Sequence, residues 1–439
     1  MSLRSGSTKD STTARRWRIG LAALAACVLV PTALARAASF LPIDPAGDDP
    51  NHVVVVAGIS GDGRVVVGGL MCTLDCGGAP TREAIRWTEA GGLERLGLLP
   101  GGTAESMALG ASEDGSQIVG FSHSATGTAA FRWQRETGLV DLDPGPPAGL
   151  EERFGVARAI SADGAVVVGS RLVERRDVGP DELPIEVHRP FVWTGSVGLR
   201  DLDVPDARGP NNGAYDVSAD GAIVVGAAET TRGIEAFVWD EVRGLQPIGG
   251  LTIGDEVESA ASAISADGTT IVGTSATSFD ANGRSTSGEA FVYTRAGGMQ
   301  RLGDAAARWT WSGARDVSGD GSIVVGQGVV DPFTGEGDAF VYDADHGVRL
   351  LADVLASLGV DLAGWRLSSA DAISRDGTTI IGSARDPEGR FRSYVAVIPE
   401  PTTALLVGLG LAGLAGLAGR SSGALGGRRS PSAGPLGPL

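Results

Sequence analysis

Cysteine and histidine are scarce in this chain of 439 residues, which has three cysteines and four histidines. Two of the cysteines, Cys72 and Cys76, lie close together in a segment that ends in two glycines. In an oxidising compartment they could close a small loop as a disulfide. Zinc is the weaker interpretation, because no histidine and no second cysteine pair lies nearby. We therefore expect no metal site and no cofactor, beyond weak binding of divalent cations by acidic loops outside the cell.

Positively charged residues are also fewer than negatively charged residues. The chain has 36 Lys and Arg against 53 Asp and Glu, a formal net charge of −17. Both ends of the chain are net basic, so the acidity is concentrated in the body between them. An acidic surface repels the phosphates of DNA and RNA, and nucleic acid is therefore a poor partner candidate.

The sequence motifs of common enzyme classes are missing as well. There is no glycine-rich phosphate loop and no nucleophile elbow. The histidines occupy different positions of the repeat described below, which disfavours a metal cluster or a nucleophile–histidine pair. A pair of carboxylates for glycoside hydrolysis stays open, because acidic loop residues are plentiful. The sequence thus favours a protein without catalytic activity.

What the chain does contain is one short motif in seven copies. Ser-x-Asp-Gly is followed each time by a β-branched run, which usually ends in Val-Gly or Ile-Gly. The copies begin at Ser60, Ser112, Ser161, Ser218, Ser265, Ser318 and Ser374. Their glycines are 47 to 57 residues apart, a period typical of repeat architectures. Asp-Gly suits a tight hairpin, so we interpret these seven aspartates as turn residues rather than catalytic groups.

Each repeat predicts four strands, and seven such repeats predict an all-β protein, a seven-bladed β-propeller of four-stranded blades. The third strand ends in an aromatic residue, which we expect to pack between neighbouring blades. In four repeats this residue is a tryptophan: Trp87, Trp133, Trp193 and Trp239. Residues 350–359 break the pattern with helical apolar spacing. They predict one short helix that covers a sheet edge between the sixth and seventh blades.

The seventh repeat lacks a fourth strand, because Ser393–Val397 leads directly into a Pro-Glu-Pro segment. The missing strand is predicted at the other end of the chain. Residues 40–47 resemble residues 139–145, a fourth strand and its exit turn. We therefore expect the N-terminal strand of the mature protein to complete the last blade, which would remove two exposed sheet edges.

The first 38 residues read as an export signal. Arg15, Arg16 and Arg18 precede an apolar run that ends in small residues at an Ala-x-Ala site, as in a cleaved secretory signal peptide. Two alternatives remain: a lipobox that would lipidate Cys27, and twin-arginine targeting through Arg15 and Arg16. The predicted organisation is a signal peptide at 1–38, a propeller at 39–398, a sorting signal at 399–420, and a disordered basic tail at 421–439.

The C-terminal region resembles the PEP-CTERM sorting signal of bacteria that make exopolysaccharide. The resemblance rests on Pro399-Glu400-Pro401, the Gly- and Leu-rich apolar stretch at 402–419, and the basic Arg420. It implies that a membrane-embedded exosortase recognises Pro-Glu-Pro, and that the apolar stretch places the chain transiently in the membrane. The stretch is at the short limit for a bilayer helix. The chain departs from the usual pattern by continuing to Leu439.

The body resembles the bacterial extracellular repeats called HAF, named for His-Ala-Phe in the third strand. Ala-Phe recurs here four times, at 130–131, 236–237, 290–291 and 339–340. The histidine does not recur, and its place is taken by Ala129, Glu235, Glu289 and Asp338. The resemblance implies a secreted propeller-like protein and carries no defined biochemical activity.

Taken together, these features predict an exported, non-catalytic propeller at the cell surface or outside the cell. It would bind carbohydrate or protein in the exopolysaccharide matrix. One alternative is a hydrolase or lyase acting on polysaccharide on the same scaffold, and another is a purely structural coat component. A ligand is expected on the face opposite the Ser-x-Asp-Gly turns, where loop lengths vary. The candidate contacts are aromatic residues near the innermost strands: Phe154, Tyr215, Trp309, Trp311 and Trp365.

Overall fold

The described chain is built almost entirely from β-strands. The computed structural model describes residues 36–44, 51–73, 81–143, 145, 149–177, 179, 183–204, 209–252, 256–303, 309–331 and 336–399. The first strand is β1 (Ser39–Ile43). The remaining strands fall into seven units, each containing one Ser-x-Asp-Gly turn between its first and second strands.

Unit 1 consists of β2 (His52–Ile59), β3 (Val66–Cys72), β4 (Arg82–Thr88) and β5 (Gly92–Gly97). Unit 2 consists of β6 (Ser106–Ala111), β7 (Gln117–Ser124), β8 (Gly127–Gln134) and β9 (Gly138–Asp141). Unit 3 consists of β10 (Arg153–Ile160), β11 (Val166–Arg176), β12 (Ile185–Thr194) and β13 (Gly198–Asp201). The strands of units 4 and 5 are β14 (Gly213–Val217), β15 (Ile223–Thr230), β16 (Gly233–Asp240) and β17 (Gly244–Gly249); and β18 (Val257–Ile264), β19 (Thr270–Phe279), β20 (Ser285–Thr294) and β21 (Gly298–Arg301). Those of units 6 and 7 are β22 (Trp311–Val317), β23 (Val324–Asp331), β24 (Glu336–Asp343) and β25 (Gly347–Leu350); and β26 (Arg366–Ile373), β27 (Thr379–Arg385) and β28 (Phe391–Val397).

Within each unit, consecutive strands pair antiparallel in chain order. Some units are also joined by a short parallel pairing between the third strand of one and the first strand of the next. These pairings are β8 with β10, β16 with β18, and β20 with β22. Units 2 and 3 thereby form one eight-stranded sheet, and units 4 to 6 form one twelve-stranded sheet.

Unit 7 is completed by β1, as the sequence predicts. β1 pairs antiparallel with β28, and Phe40 lies opposite Ala396 in this ladder. The sheet order is therefore β1-β28-β27-β26, four strands like the other units. The last strand of the chain's final repeat consequently has a partner along the edge that the repeat itself leaves open.

The seven Ser-x-Asp-Gly turns share one hydrogen-bond pattern. The serine hydroxyl donates to the aspartate Oδ1 at 2.5–3.0 Å, and the amide after the glycine donates to that same oxygen at 2.9–3.0 Å. The glycines have φ between +64° and +75°, which favours glycine. The aspartates therefore hold the turns, which agrees with the interpretation from the sequence.

A cycle of backbone hydrogen bonds links the seven turns. In six of these seven hydrogen bonds, the backbone amide of the variable residue, the second residue of Ser-x-Asp-Gly, donates to the backbone carbonyl of the variable residue in the next unit. The seventh bond, from Asp62 to Glu113, leads from unit 1 to unit 2, and Arg375 of unit 7 donates back to Gly61 of unit 1 at 2.9 Å. All seven distances lie between 2.8 and 3.1 Å. The cycle returns to its starting unit without a gap.

The core lies between the units. Seven clusters of buried residues in the described part of the chain each combine side chains from two consecutive units, and one joins unit 7 to unit 1. A fully buried aromatic ring of a third strand anchors six of them: Phe131, Phe191, Phe237, Phe291, Phe340 and Tyr394. Burying such a ring contributes about 1.5–3 kcal/mol. The predicted tryptophans lie in the same clusters, two buried and two half-buried.

The glycine that ends most of the β-branched runs makes room for this packing. A Cβ built on Gly169 would lie 1.9 Å from the carbonyl oxygen of Val156 and 2.9 Å from the ring of Phe191. Equivalent glycines stand opposite the aromatic ring in units 2 and 4 to 7, and opposite Ile85 in unit 1. Glycine at this position therefore allows the first strand and the aromatic ring to lie close to the second strand.

The described residues contain one helix, α1 (Leu351–Ser357), between β25 and β26. It lies within the segment predicted to be helical. Leu351 and Leu355 are fully buried and belong to the cluster between units 6 and 7. The helix therefore covers part of the hydrophobic core between units 6 and 7.

Candidate functional site

The first strands of the seven units surround one cavity of about 220 Å³. Every unit contributes the last residues of its first strand, and several contribute the variable residue of the turn that follows. The cavity therefore lies at the end of the first strands that carries the Ser-x-Asp-Gly turns. Loop variability predicted a ligand at the opposite face, so the structure offers a different location.

A β-bulge points one side chain of each unit into this cavity. In every first strand, the ladder with the second strand skips the residue three positions before the turn serine. A bulge leaves the extra residue unpaired and redirects its side chain. From unit 1 to unit 7 these residues are Ala57, Leu109, Arg158, Tyr215, Ser262, Arg315 and Asp371, and all of them line the cavity.

The wall of the cavity is therefore uneven in polarity. Units 1 and 2 contribute Ala57 and Leu109, whereas units 3, 4 and 6 contribute Arg158, Tyr215 and Arg315. The guanidinium group of Arg158 lies 5.1 Å from the centre of the Tyr215 ring, a cation–π arrangement. Arg315 donates a hydrogen bond to the side chain of Gln327 at 3.1 Å. One side of the cavity is thus apolar and the other can bind polar or charged groups.

Two aspartates beside the bulges connect consecutive units. Asp216 of unit 4 accepts hydrogen bonds from the amides of Val217 and of Ile264, which belongs to unit 5. Asp316 of unit 6 accepts them in the same way from the amide of its own following residue and from Ile373 of unit 7. All four distances are 2.7–2.8 Å. Each carboxylate therefore satisfies an amide of the neighbouring unit.

Burial raises the pKa of both carboxyl groups, to about 6 for Asp216 and to about 7 for Asp316. The charge of Asp216 raises the pKa of Asp316 further, whereas the hydrogen bonds from the amides and the charge of Arg375 act in the opposite direction. Burial also raises the pKa of Asp371, although the charge of Arg315 and the hydrogen bonds donated by the hydroxyls of Ser369 and Ser383 act in the opposite direction. Protonation of Asp216 and Asp316 at mildly acidic pH would therefore remove negative charge from the cavity.

An ion pair crosses the rim of the cavity. Arg375 of unit 7 lies 2.8 Å from the carboxylate of Glu113 of unit 2. A Cβ built on Gly61, in the unit between them, would lie 2.1 Å from this carboxylate. The other variable turn residues are alanine or glycine. Small residues thus leave the rim open except where this pair lies.

The five predicted aromatic contacts do not form one surface. Tyr215 lines the cavity. Phe154 is 39% exposed and lies against His188, with 5.3 Å between the ring centres. Trp309 donates from its indole nitrogen to Asp338 at 2.9 Å and packs on Phe340. Trp311 covers Gly288, and Trp365 packs on Phe40. Ligand binding by the four residues outside the cavity stays a prediction.

The remaining predicted sites are only partly described. Cys72 forms a disulfide bond, while Cys76, the predicted partner, lies outside the described residues. Pro399 is described and half-buried, whereas Glu400 and Pro401, the apolar stretch and the signal peptide up to residue 35 lie outside.

Among the residues that the structure describes, no group of three His, Cys, Asp or Glu side chains could hold a metal ion. In that same part of the chain, no helix is long and apolar enough to cross a membrane.

Of the bulge residues only Tyr215 was a candidate from the sequence, and the other six and the two linking aspartates were not identified. A signal for them exists. The first strands are otherwise rich in alanine, valine and isoleucine, and Arg158, Tyr215, Arg315 and Asp371 all stand three positions before the turn serine. Charged or aromatic residues at one fixed position of an apolar strand indicate a shared lining position.

No protein-family model matches the chain, and no curated protein matches it. Solved structures do resemble it. An acylaminoacyl peptidase in complex with Z-Gly-Gly-Phe-chloromethyl ketone is 10% identical, with a TM-score of 0.50 over 79% of this chain and 51% of that one. A puromycin hydrolase is 14% identical, with a TM-score of 0.49 over 78% and 51%. TolB from Acinetobacter baumannii is 12% identical, with a TM-score of 0.39 over 77% and 65%.

The chain thus spans about half to two thirds of the length of these structures. The likeness to the acylaminoacyl peptidase concerns its β-propeller domain. At this level of identity the similarity to the acylaminoacyl peptidase shows the fold alone. The chain has a β-propeller fold.

Proposed function

We propose that this protein is an exported, non-catalytic, seven-bladed β-propeller that binds carbohydrate of the exopolysaccharide matrix in its central cavity. The cycle of seven backbone hydrogen bonds supports a closed ring, with each four-stranded unit as one blade. The pairing of β1 with β28 supports closure of the last blade by the N-terminal strand. A closed ring leaves a channel along its axis, where the first strands meet.

The observation that carries the binding function is the lining of the cavity. Seven equivalent bulges direct side chains into it, and those of Arg158, Tyr215 and Arg315 offer guanidinium groups, a hydroxyl and an aromatic face. These are the groups that bind sugars, through hydrogen bonds to hydroxyls and stacking on C–H faces. Packing alone does not require arginines at these positions, because alanine and leucine occupy them in units 1 and 2.

The location of the protein rests on its two ends. The signal peptide at 1–38 and the Pro-Glu-Pro signal at 399–420 would direct export and processing by an exosortase-type enzyme, leaving the propeller at the cell surface or in the matrix. The acidic net charge of the body is compatible with an extracellular site, where acidic surfaces favour solubility.

One observation favours a polysaccharide hydrolase or lyase as a second candidate. Carboxyl groups with a raised pKa inside a cavity are typical of general acids, and Asp216 and Asp316 have this property. However, both oxygens of each carboxylate accept backbone amides. A group held in this way is better suited to linking two blades than to exchanging protons with a substrate, so we favour binding.

The experiment is a glycan array with the purified protein, followed by a turnover assay on every glycan that is retained. We expect retention without product, and loss of retention in Arg158→Gln. The matched control is Arg366→Gln, because Arg366 is exposed and lies on the first strand of unit 7 but does not line the cavity. Release of oligosaccharide that is abolished by Asp316→Asn would replace binding by catalysis. Absence of any retained glycan would contradict both.

A further inference from the structure

The first and last strands of the chain, β1 and β28, bring two distant parts of the sequence to one end of unit 7. Ser39, the first residue of β1, stands opposite Val397, the last residue of β28. Val397 also stands opposite Thr379, the second residue after the Ser-x-Asp-Gly turn of this unit. Beyond the strand, the amide of Ile398 donates to the carbonyl of Thr378 at 2.8 Å. The chain therefore enters β1 and leaves β28 at the end of unit 7 that carries its Ser-x-Asp-Gly turn.

The same end of all seven units forms one surface, which we call the turn face. It consists of the seven Ser-x-Asp-Gly turns, linked by their cycle of backbone hydrogen bonds, and of the turns between third and fourth strands. In unit 4, for example, Ile223 follows the first kind of turn and stands opposite Asp240. Asp240 stands opposite Gly244 across the second kind of turn. The cavity lies at this end of the first strands, so it belongs to the turn face as well.

The sequence beyond β28 has the composition of a membrane span. Residues 402–419 are eighteen consecutive residues without a charge, rich in Leu, Gly and Ala, which is the length of a short transmembrane helix. Arginines follow this stretch, and arginines also precede the apolar run at 19–34. Both groups of positive charge are therefore separated from the propeller by an apolar run. Since Lys and Arg mark the cytoplasmic side of a membrane, the sequence favours a propeller on the other side.

The connection from β28 to this apolar stretch is short. Pro399 is the last described residue, and Thr402 follows it by three positions. Three residues span at most about 10–11 Å, even when fully extended. The headgroup layer on each side of the hydrocarbon core is about 5–8 Å thick. A stretch that enters the hydrocarbon at Thr402 therefore holds the end of β28, and the turn face with it, next to the headgroups.

From this geometry we propose that the turn face is a membrane-facing surface. While residues 402–419 span the bilayer, the turn face lies against the lipid headgroups and the opposite ends of the units point away from the membrane. The long hairpins formed by β11 with β12 and by β19 with β20 have their tips at those opposite ends, where they are accessible to other molecules. This orientation rests on membrane insertion of residues 402–419, and carbohydrate binding by the cavity can hold or fail independently of it.

The test compares two labelled sites at opposite ends of unit 4. Thr231 and Val242 are both exposed, and the eight residues of β16 run between them, so the two sites are about 26 Å apart along the strand. Val242→Cys places a fluorescent thiol label on the turn face, and Thr231→Cys places it at the other end. The full chain is reconstituted into phosphatidylcholine vesicles with and without a lipid that carries a nitroxide quencher in its headgroup. The unsubstituted chain, treated in the same way, gives the background labelling.

We expect the quencher lipid to reduce the fluorescence of the label at position 242 at least about threefold more than that of the label at position 231. Insertion of twenty Gly and Ser residues after Ala38 and again after Pro401 should remove most of this difference, because such a linker spans about 25 Å. Circular dichroism confirms that each variant is folded.

The remaining outcomes contradict the proposal at separate steps. Equal quenching at the two positions, or stronger quenching at position 231, would overturn the orientation. A difference that survives the inserted linkers would overturn the short connection as its cause. A chain that does not float with the vesicles would overturn membrane insertion and the orientation together. Failure to retain any carbohydrate on the glycan array would overturn the binding function alone.

Discussion

The carboxylate of Asp316 accepts a hydrogen bond from the backbone amide of Ile373, 57 residues further along the chain, at 2.8 Å. Asp216 does the same for Ile264, 48 residues away. Both hydrogen bonds join the first strand of one unit to the first strand of the next. The other five units have glycine or alanine at the equivalent position, so only two of the seven junctions are fastened in this way.

We expect Asp316→Ala to lower the free energy of unfolding by about 1–3 kcal/mol, because the substitution leaves the amides of Val317 and Ile373 without their acceptor. Urea denaturation followed by circular dichroism measures this loss. Asp203 is exposed and, within the described ranges, makes no side-chain hydrogen bond, so Asp203→Ala serves as the control. A loss of the same size in both variants would contradict the linking role of Asp316.

Stability should also depend on pH through these two residues. In the unfolded chain both carboxyl groups have an ordinary pKa near 3.9. In the folded protein burial raises the pKa of Asp216 to about 6 and that of Asp316 to about 7. The folded state therefore binds more protons than the unfolded state between these limits. This difference in proton binding stabilises the folded state fully below about pH 4, and the stabilisation is lost as the pH rises through 6 to 7.

The double variant Asp216→Asn, Asp316→Asn removes the titrating groups and keeps their shape. Relative to this variant, the free energy of unfolding of the original protein should decline between about pH 4 and about pH 8. A parallel dependence of the two proteins on pH would contradict the assignment. The single variant Asp216→Asn should in addition lower the pKa of Asp316, because it removes a neighbouring negative charge. Titration of the carboxyl carbons by NMR measures this change.

A third prediction concerns the glycine at the end of a β-branched run. Gly169→Ala places a Cβ 1.9 Å from the carbonyl oxygen of Val156, so the first two strands of unit 3 must separate. We expect a loss of about 1–3 kcal/mol or more, as for other overpacked core positions. At Gly195 the nearest atom would be 3.8 Å away, an ordinary contact, so Gly195→Ala is the control. Thermal unfolding of the two variants distinguishes them, and equal stability would contradict the steric argument.

Much of this fold can be predicted from the sequence because its repeated elements act locally. The Ser-x-Asp-Gly turn satisfies its own hydrogen bonds, so its strands and their order follow from the motif alone. The position of β1 could also be predicted, since unit 7 lacks a strand and residues 40–47 resemble an earlier fourth strand. The helix at Leu351–Ser357 follows from its apolar spacing.

The cavity could not be predicted in the same way. Its lining depends on a one-residue shift between two strands, and such a shift is visible only in the register of the sheet. Phe154 and Tyr215 both lie in a first strand, yet only Tyr215 occupies the bulge position and lines the cavity. The role of Asp316 likewise depends on an amide in another unit, which no local pattern contains.

The N-terminal strand offers the last prediction. Phe40 packs its ring against Trp365 and Tyr394, at 5.4 and 5.5 Å between ring centres, whereas the neighbouring Leu41 is 39% exposed. We expect Phe40→Ala to cost about 2–3 kcal/mol, below the range for fully buried phenylalanines because the ring is half-buried. Leu41→Ala should cost under about 1 kcal/mol, since exposed positions contribute little.

Intrinsic tryptophan fluorescence during urea unfolding measures both variants. Phe40→Ala should in addition shift the emission of the folded protein to longer wavelength, because Trp365 loses the ring that shields it. The main-chain bonds of β1 to β28 are unchanged in either variant, so any difference between them reports side-chain packing. Equal losses of stability would mean that β1 is held by its backbone alone and that Phe40 does not anchor the strand that completes unit 7.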